Sequence, residues 1–318
     1  MNVFIYSDDV HEKEKKIFEE ALKDDELIFG WELNDETKAK KLFLKADVAF
    51  SGSIPGEWLT ETDRLQWLQL ESVGFEPYQP FGKAALEKGI SITNLKGFFG
   101  IPVAETVLGG ILSLYRGLDN LNVLRKVKSW KKLEIRAVSK VLHGSQVVIL
   151  GSGSIALEIK KLLQAFECKV TVFGKNLEKA DIVNVDELEY RLPDVDIVIC
   201  CLPQTDETIG FFKKERLSIL KSGALFVNVG RGTVVDEEAL ADALTKKRLG
   251  GAVIDVTNEE PIPTDHPFWD CPNMVLTQHT GGGSTDEVEG KINIFLSNLE
   301  RLKNKEDLLN IIDFDKGY

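Results

Sequence analysis

The stretch of residues 147 to 175 constrains the fold of this chain more than any other. It begins with an unbroken apolar run, residues 147–150, and continues through a glycine-containing turn and a helical segment to a second strand near residues 169–173. An unbroken apolar run is typical of a strand that is covered on both faces in a parallel sheet. A strand, a helix and a second strand in this order predict a βαβ unit, and therefore an α/β fold.

The turn after the first of these strands has the spacing of a nucleotide-binding motif. Gly151, Gly153 and Ala156 occupy the positions of G-x-G-x-x-G/A, where the glycines turn the chain and let a pyrophosphate approach the backbone. The N–H groups of Ser154 and Ile155, at the positive end of the helix dipole, can then hold phosphates. The spacing alone also fits a plain tight turn, but the βαβ context favours dinucleotide binding.

The end of the second strand predicts which dinucleotide is bound. In such units an acidic side chain about twenty residues after the glycines usually binds the ribose hydroxyls of NAD. Here the strand ends instead in Gly174, Lys175 and Asn176. Because no carboxylate stands at this position, a 2′-phosphate would not be repelled there. The side chains of Lys175 and Asn176 could bind that phosphate. We therefore predict that NADPH is preferred over NADH, with a solvated loop lysine as the alternative interpretation of Lys175.

Composition excludes several classes of protein. A chain of 318 residues is long enough for two domains, and its net charge of −12 without a basic stripe argues against binding to nucleic acid or anionic membranes. A signal peptide and a membrane span are not expected, so we predict a cytoplasmic protein. The four cysteines lack C-x-x-C spacing and are expected to be reduced thiols, and no bound metal is predicted.

Strands and helices continue to alternate after the βαβ unit, and four further strands end in residues with chemical capability. In order along the chain these residues are Leu202 and Pro203, then Val229, Gly230 and Arg231, then Asp255, and finally His279. Since the carboxyl ends of parallel strands meet at one edge of a sheet, we expect these residues to share a crevice with the glycine turn.

That crevice would contain the groups needed to reduce a 2-oxo acid. Arg231 presents a fork of donors suited to a carboxylate and a neighbouring carbonyl, and His279 can transfer a proton near neutral pH. Glu260 can hold the imidazole of His279 in its protonated form. Each residue also has an ordinary structural interpretation: a surface ion pair for the arginine, a solvated side chain for the glutamate and a structural role for the histidine.

The first hundred residues predict a smaller parallel α/β unit. A strand near residues 67–70 runs into a turn in which the amides of Val73 and Gly74 could receive a carboxylate, although an ordinary loop is the commoner explanation. Residues 103–121 are apolar on most of a helical circumference, which predicts a helix buried between domains or at a subunit interface. Residues 125–132 are basic and include Trp130, and they are interpreted either as an exposed helix with one anchoring tryptophan or as a functional segment.

Six motifs together resemble one family, the D-isomer-specific 2-hydroxyacid dehydrogenases, and among them the glyoxylate/hydroxypyruvate reductases. They are GIPVAE (100–105), GSGSIA (151–156), LPQTDET (202–208), NVGRGTVVDEEAL (228–240), AVIDVTNEEP (252–261) and LTQHTGGGST (276–285). The resemblance implies that Arg231 binds and polarises the substrate, that His279 is the acid–base, and that Glu260, not Glu259, is its partner.

The resemblance implies further binding roles as well. Asp255 would hold the carboxamide of the nicotinamide, residues near Leu202 and Gly230 would line the cofactor site, and Val73 and Gly74 would receive the substrate carboxylate.

The resemblance also implies an architecture. A Rossmann-type dinucleotide-binding domain would span residues 96–285, and residues 1–95 and 286–318 would form a discontinuous flavodoxin-like substrate domain. Closure between the domains would exclude water during the reaction, and the chain would be a homodimer with residues 103–121 near the interface.

Departures from the family pattern leave the substrate open. Gln278 stands where a proline is common, Ala156 replaces a glycine, and Phe99 replaces a residue that is often smaller or polar. With Phe98 and Phe75, Phe99 could shape the pocket for a larger apolar 2-oxo acid as well as for glyoxylate or hydroxypyruvate. Two alternatives remain: a non-catalytic NAD(P)-binding regulator of the same fold, and a dehydrogenase acting on formate or a phosphorylated hydroxy acid.

Overall fold

The computed structural model describes residues 1–33 and 35–314. The chain divides into two compact units: unit 1 contains Met1–Phe98 and Ser284–Tyr318, and unit 2 contains Phe99–Gly283. Unit 1 is therefore assembled from both ends of the sequence. The last four residues of the predicted C-terminal segment, 315–318, lie outside the described residues.

Unit 1 is built on a sheet of five parallel strands. They are β1 (Asn2–Tyr6), β2 (Glu26–Phe29), β3 (Val48–Ser51), β4 (Trp67–Gln69) and β5 (Ser91–Thr93), arranged in the order β2-β1-β3-β4-β5. This is the flavodoxin-like strand order, as predicted. Its turning point lies between β1 and β3, so the loops after these two strands flank the crevice of the sheet.

Helices cover both faces of this sheet. They are α1 (Glu12–Ala21), α2 (Glu36–Phe43), α3 (Trp58–Glu61), α4 (Gln79–Glu87) and the C-terminal helix (Glu287–Lys303), with 3₁₀ turns at Trp31–Leu33 and Glu76–Tyr78. The C-terminal helix joins the core through Phe295, whose ring stacks on Trp67 at 5.0 Å between centroids. Both side chains are fully buried, and burial of aromatic rings of this size contributes about 2–3 kcal/mol each.

Unit 2 is built on six parallel strands. They are β6 (Gln146–Leu150), β7 (Lys169–Phe173), β8 (Ile197–Cys200), β9 (Leu225–Asn228), β10 (Gly251–Ile254) and β11 (Met274–Leu276), in the order β11-β10-β9-β8-β6-β7. Beyond β7, Ile182 forms a single parallel bridge with Phe173. If this bridge counts as a vestigial third strand, the order becomes the 3-2-1-4-5-6 of a dinucleotide-binding sheet with one strand added. The predicted α/β fold with two parallel sheets is thus confirmed.

The helices of unit 2 differ from the sequence prediction at one place. They are α5 (Gly100–Arg116), α6 (Leu118–Lys126), α7 (Lys132–Val138), α8 (Ser154–Ala165), α9 (Val185–Arg191), α10 (Lys214–Ile219) and α11 (Glu237–Thr245), with 3₁₀ turns at Leu192–Asp194, Gly232–Val234 and Pro267–Asp270. The single apolar helix predicted over residues 103–121 breaks at Gly117, which takes the left-handed conformation (φ 64°) that commonly ends helices.

The buried side of α5 packs against the sheet of unit 2 itself. Val103, Val107 and Ile111 belong to the same core cluster as the strand residues of β6 and β8, and a Cβ on Gly110 would lie 2.6 Å from Val253. The predicted anchoring role of Trp130 is wrong, because its side chain is 89% exposed in a turn between α6 and α7. In the described ranges no helix combines the length and the apolarity needed to cross a membrane.

Candidate active site

The glycine turn after β6 leaves room for a phosphate group. Gly151 has a φ of 108°, and a Cβ there would lie 2.8 Å from the carbonyl oxygen of Cys201, so only glycine fits. Gly153 precedes α8. Apart from its two chain neighbours, no described residue has an atom within 4 Å of a Cβ built on Gly153. The first amides of α8, at Ser154 and Ile155, therefore border an open space, which fits the pyrophosphate of a dinucleotide.

The end of β7 contains an ion pair that the sequence did not predict. Asn176 closes a turn by accepting a hydrogen bond from the N–H of Glu178 (2.9 Å). The Nζ of Lys175 lies 2.5 Å from Oε2 of Glu207, which belongs to the loop after β8. The βαβ unit itself has no acid at this position, but the sheet order brings a carboxylate from another loop to the same lysine.

The loops after β8 and β9 approach each other closely. The hydroxyl of Thr208 donates to the carbonyl of Pro203 (2.6 Å), which folds the loop after β8 into a compact turn. A Cβ on Gly230 would lie 2.4 Å from the carbonyl oxygen of Leu202, and the N–H of Val229 donates to the carbonyl of Cys200 (3.0 Å). Leu202, Pro203, Val229 and Gly230 thus lie together at the carboxyl edge of the sheet, beside the glycine turn.

Arg231 follows β9 and is held by an asparagine that sequence reasoning missed. The side chain of Asn228, buried at the end of β9, donates to the carbonyl of Arg231 (3.0 Å) and accepts from the N–H of Gly230 (3.2 Å). The Nη1 of Arg231 donates to the carbonyl of Gly230 (2.8 Å). A polar residue at the end of a buried strand was the available signal for Asn228, since buried amides need partners.

His279 and Glu260 form a hydrogen-bonded pair. The Nδ1 of His279 lies 2.6 Å from Oε2 of Glu260, and Oε1 of the same carboxylate accepts from the N–H of Thr257 (2.9 Å). With Nδ1 assigned as the donor to the carboxylate, Nε2 is the ring nitrogen that can exchange a proton with a ligand. Glu259 contributes a backbone carbonyl, which accepts from the hydroxyl of Thr257 (2.9 Å).

Asp255 anchors the loop that carries His279. Its buried carboxylate accepts hydrogen bonds from the hydroxyl of Thr277 (2.5 Å) and the N–H of Gly281 (3.0 Å), and its carbonyl accepts from the N–H of His279 (2.6 Å). Sequence reasoning missed the roles of Thr277 and Gly281, although both lie in the motif of residues 276–285, because they act through Asp255 and carry no chemistry of their own. These contacts give Asp255 a structural role in addition to the cofactor contact implied by the resemblance.

The backbone conformation of Gln278 and His279 explains why Gln278 stands where the family pattern commonly has a proline. Gln278 and His279 have φ angles of 53° and 57°, a left-handed conformation that non-glycine residues adopt rarely. A proline could not occupy this position as it stands, because its ring holds φ near −65°. Gln278 therefore permits a left-handed turn that a proline would prevent.

The loop with Val73 and Gly74 lies at the carboxyl edge of the sheet in unit 1. Its carbonyl groups are engaged by side chains: Asn94 donates to Val73 (2.8 Å), and the hydroxyl of Ser72 donates to Gly74 (2.6 Å). The loop is thus held in one conformation from within unit 1.

The three phenylalanines that were expected to shape a pocket lie in different surroundings. Phe75 is buried in the core of unit 1 with its ring 5.4 Å from that of Phe314, so its predicted role is wrong. In unit 1, the ring of Phe98 lies against Gly290 of the C-terminal helix. In unit 2, the ring of Phe99 lies against Gly282.

Glu71 forms a partly buried polar cluster just before the Val73–Gly74 loop. Its carboxylate accepts hydrogen bonds from the hydroxyl of Ser7 (2.8 Å) and the N–H of Gly52 (3.1 Å), which follow β1 and β3. Lys291 lies near it and pairs with Asp9 (3.4 Å) and with Glu287 (2.6 Å). Burial raises the pKa of Glu71 to about 7, with Asp9 adding to the rise, while the two hydrogen bonds and Lys291 oppose it.

Glu71→Gln is expected to make the stability of the protein less dependent on pH. A carboxyl whose folded pKa is about 7, against an ordinary value of 4.5, stabilises the fold fully below pH 4.5, and this contribution is lost as the pH rises through 7. At about 1.4 kcal/mol for each pKa unit, the full loss is at most about 3–4 kcal/mol. Urea unfolding at pH 5 and pH 8 measures it.

The matched control is Glu57→Gln, which changes an exposed glutamate of the same unit. The wild type and this control should both lose stability between pH 5 and pH 8, and Glu71→Gln should lose roughly 2–3 kcal/mol less. An equal loss in all three proteins would rule out Glu71 as the titrating group.

The cysteines are free thiols, and burial raises the pKa of Cys200 to about 12. Across the part of the chain that the structure describes, no group of three or more His, Cys, Asp or Glu side chains could hold a metal ion. The cytoplasmic location stays a prediction.

Comparison with known proteins gives consistent matches. The family described as D-isomer specific 2-hydroxyacid dehydrogenase, NAD binding domain, matches residues 108–281. An uncharacterized protein in the proB 3′ region of Corynebacterium melassecola is 30% identical over 281 residues, which are 85% of this chain and 89% of that protein. Glyoxylate/hydroxypyruvate reductase A HPR2 of Arabidopsis thaliana is 30% identical over 255 residues, 79% of each chain.

A solved structure agrees with these relatives over the whole chain. The crystal structure of a D-isomer specific 2-hydroxyacid dehydrogenase family protein from Aeromonas salmonicida subsp. salmonicida has a TM-score of 0.82 at 28% identity, and the match covers 99% of both chains. Formate dehydrogenase and D-3-phosphoglycerate dehydrogenase are also among the matching proteins.

Proposed function

Because the chain belongs to the D-isomer-specific 2-hydroxyacid dehydrogenase family, we propose that it reduces a 2-oxo acid to a D-2-hydroxy acid, with NADPH as the preferred cofactor. NAD(P)-dependent dehydrogenase activity is the property of the family. The substrate class, the direction and the preference for NADPH are our proposal. The observation that carries it is the 2.6 Å pair of His279 and Glu260 at the same sheet edge as Arg231 and the glycine turn of unit 2.

His279 is the proposed acid–base. The carboxylate of Glu260 accepts a hydrogen bond from the Nδ1–H of His279 and another from the N–H of Thr257, so the imidazole is fixed in orientation and its positive charge is stabilised. Nε2 can then give a proton to the carbonyl oxygen of a 2-oxo acid as that oxygen gains negative charge. A bound nicotinamide supplies the hydride.

Arg231 is the proposed substrate-binding residue. Its guanidinium can bind the carboxylate and the carbonyl oxygen of a 2-oxo acid and stabilise the charge that develops on the oxygen. Val73 and Gly74 are proposed to receive the substrate carboxylate through their backbone amides. Under this assignment unit 1 is the substrate domain and unit 2 the dinucleotide-binding domain.

The cofactor is proposed to lie along the carboxyl edge of the unit 2 sheet. Gly151, Gly153, Ser154 and Ile155 would hold its pyrophosphate, and Gly174, Lys175 and Asn176 would face the adenosine ribose. Leu202, Pro203, Val229 and Gly230 would line the path to the nicotinamide, whose carboxamide Asp255 would bind. The lysine at position 175 supports NADPH, since it can pair with a 2′-phosphate.

The proposed function is tested by a panel of acids assayed with NADPH and with NADH. We expect cofactor oxidation with at least one 2-oxo acid among glyoxylate, hydroxypyruvate and larger apolar analogues, and formation of the D-hydroxy acid. The panel includes formate and phosphorylated hydroxy acids in the oxidative direction, because relatives of both kinds exist. Cofactor binding without turnover of any substrate would favour a non-catalytic regulator instead.

We further propose that the chain forms a homodimer through an apolar surface on unit 2. Eight large apolar side chains in residues 118–141 are exposed: Leu118, Leu121, Val123, Val127, Trp130, Leu133, Val138 and Val141. An apolar surface this dense is typical of a protein interface. The interface predicted from the sequence covered residues 103–121. The inner face of α5 is already covered by the core of unit 2, so we place the interface on the exposed side chains of residues 118–141 instead.

A double change, Val127→Asp with Leu133→Asp, is expected to convert the dimer to a monomer, since charges would be buried unpaired at the interface. Light scattering after size-exclusion chromatography gives the mass. Tyr190→Asp, which changes an exposed residue outside this surface, serves as the control and should leave the mass unchanged. A wild-type protein with the mass of one chain would refute the dimer.

A further inference from the structure

We propose that Glu207 lowers the preference for NADPH over NADH by competing with the 2′-phosphate of NADPH for Lys175. This inference rests on the proposed function, because it concerns the adenosine end of the same cofactor site. It goes beyond that function in assigning specificity to a residue outside the βαβ unit. The Nζ of Lys175 and Oε2 of Glu207 lie 2.5 Å apart.

The position of this ion pair follows from the sheet order. β6 carries the glycine turn and lies between β7 and β8. Lys175 follows β7, and Glu207 lies in the loop after β8, so the pair joins the loops on the two sides of the glycine turn. In open α/β sheets this edge, where the strand order reverses, is where a dinucleotide binds.

The backbone around Glu207 is held by its neighbour. The side chain of Thr208, which is largely buried, donates to the carbonyl of Pro203 (2.6 Å) and accepts from the N–H of Thr205 (2.8 Å). The N–H of Thr208 also donates to the carbonyl of Thr205 (3.0 Å). Glu207 therefore lies in a closed turn, and its largely exposed side chain extends from that turn to Lys175.

The charges of Lys175 and Glu207 then determine how the site distinguishes NADPH from NADH. Lys175 can bind a 2′-phosphate only by giving up Glu207, and the carboxylate left beside it repels the phosphate. NADH, which lacks the 2′-phosphate, neither breaks the ion pair nor is repelled by the carboxylate. The carboxylate of Glu207 can instead accept a hydrogen bond from a ribose hydroxyl of NADH. Glu207 thus takes the part of the acid that is missing at the end of β7, and it lowers the preference for NADPH that Lys175 alone would give.

The experiment measures binding without turnover. Isothermal titration calorimetry with 2′,5′-ADP and with 5′-AMP compares the adenosine half of each cofactor in the full-length protein. We expect Glu207→Gln to tighten 2′,5′-ADP binding about three- to tenfold, the scale of one exposed ion pair with screened repulsion, and to change 5′-AMP binding less than twofold. The ratio of kcat/KM for NADPH over NADH should rise by the same factor.

Two further variants make the result specific. In a Lys175→Met background, Glu207→Gln should tighten 2′,5′-ADP binding by a smaller factor than it does with Lys175 present, because only the screened repulsion of the phosphate by Glu207 is left to relieve. Asp206→Asn, which removes the neighbouring charge of the same turn, should leave the ratio of the two affinities unchanged. An unchanged ratio in Glu207→Gln, or an equal change in Asp206→Asn, overturns the inference. Failure of both probes to bind overturns it together with the cofactor site, whereas absence of turnover with tight probe binding affects the proposed reaction only.

Discussion

Replacing His279 by alanine is expected to lower kcat/KM for 2-oxo acid reduction by about 10³-fold, the usual scale for losing a positioned general acid. The imidazole pairs through Nδ1 with Glu260, at 2.6 Å, so Nε2 is the nitrogen left to protonate the substrate oxygen. Alanine leaves the oxygen without a donor in the transition state. Stopped-flow measurement of NADPH oxidation gives the rate, and calorimetric titration with NADPH shows whether the cofactor still binds.

The adjacent glutamates provide a matched test of the same pair. Glu260→Gln keeps an acceptor for Nδ1 but removes the negative charge that stabilises the imidazolium, so kcat should fall about 10²-fold. Glu259→Gln should be active like the wild type, because Glu259 contributes a backbone carbonyl to the site. Equal losses in the two glutamine variants, or wild-type turnover in His279→Ala, would contradict the assigned roles.

The fold was predictable where local patterns and sheet geometry agree. The apolar run of β6, the glycine turn and α8 specify a βαβ unit locally, and the alternation on both sides extends it into a parallel sheet. The flavodoxin-like order of unit 1 could not be derived from periodicity. It came from the resemblance, since the pairing of β1 with both β2 and β3 depends on contacts across the unit.

The errors in the fold prediction have two physical causes. Hydrophobic periodicity runs through Gly117 without a sign of the left-handed turn, because leucines continue on the far side at positions 118 and 121. Apolarity also cannot distinguish a side chain buried in its own core from one left exposed. Phe75 was assigned to a pocket and lies in the core, whereas Trp130 was assigned to packing and is exposed.

The candidate site was predictable for the side chains that can bind a substrate or transfer a proton, and not for the side chains that hold them in place. His279, Glu260 and Arg231 lie in recognisable spacing at strand ends. Thr277 and Glu207 act through contacts between segments that are distant in sequence, and Asn228 acts through the backbone just after its own strand, at Gly230 and Arg231. Glu207 matters most among these, since it places a carboxylate beside Lys175 where the sequence indicated that none was available.

Replacing Arg231 by methionine is expected to lower kcat/KM for the 2-oxo acid by about 10²- to 10³-fold, because the substrate carboxylate would lose a charged partner that can bind it with two parallel hydrogen bonds. Arg231→Lys should recover only part of this loss, since an ammonium cannot bind carboxylate and carbonyl oxygens with one planar group. KM for the 2-oxo acid should rise in both variants. The affinity for NADPH, measured by calorimetry, should stay within about twofold because the guanidinium is assigned to the substrate.

The control for Arg231 must remove a positive charge without touching the crevice. Arg191→Met does so: Arg191 is exposed and pairs with Glu187 one turn earlier on α9 (2.8 Å). A net charge of −12 makes this control necessary, because losing any cation could weaken the capture of an anionic substrate at low ionic strength. Arg231→Met and Arg191→Met could lose the same fraction of kcat/KM, and added salt could bring both variants to the value of the wild type. That result would show that Arg231 acts by long-range attraction and not by direct contact.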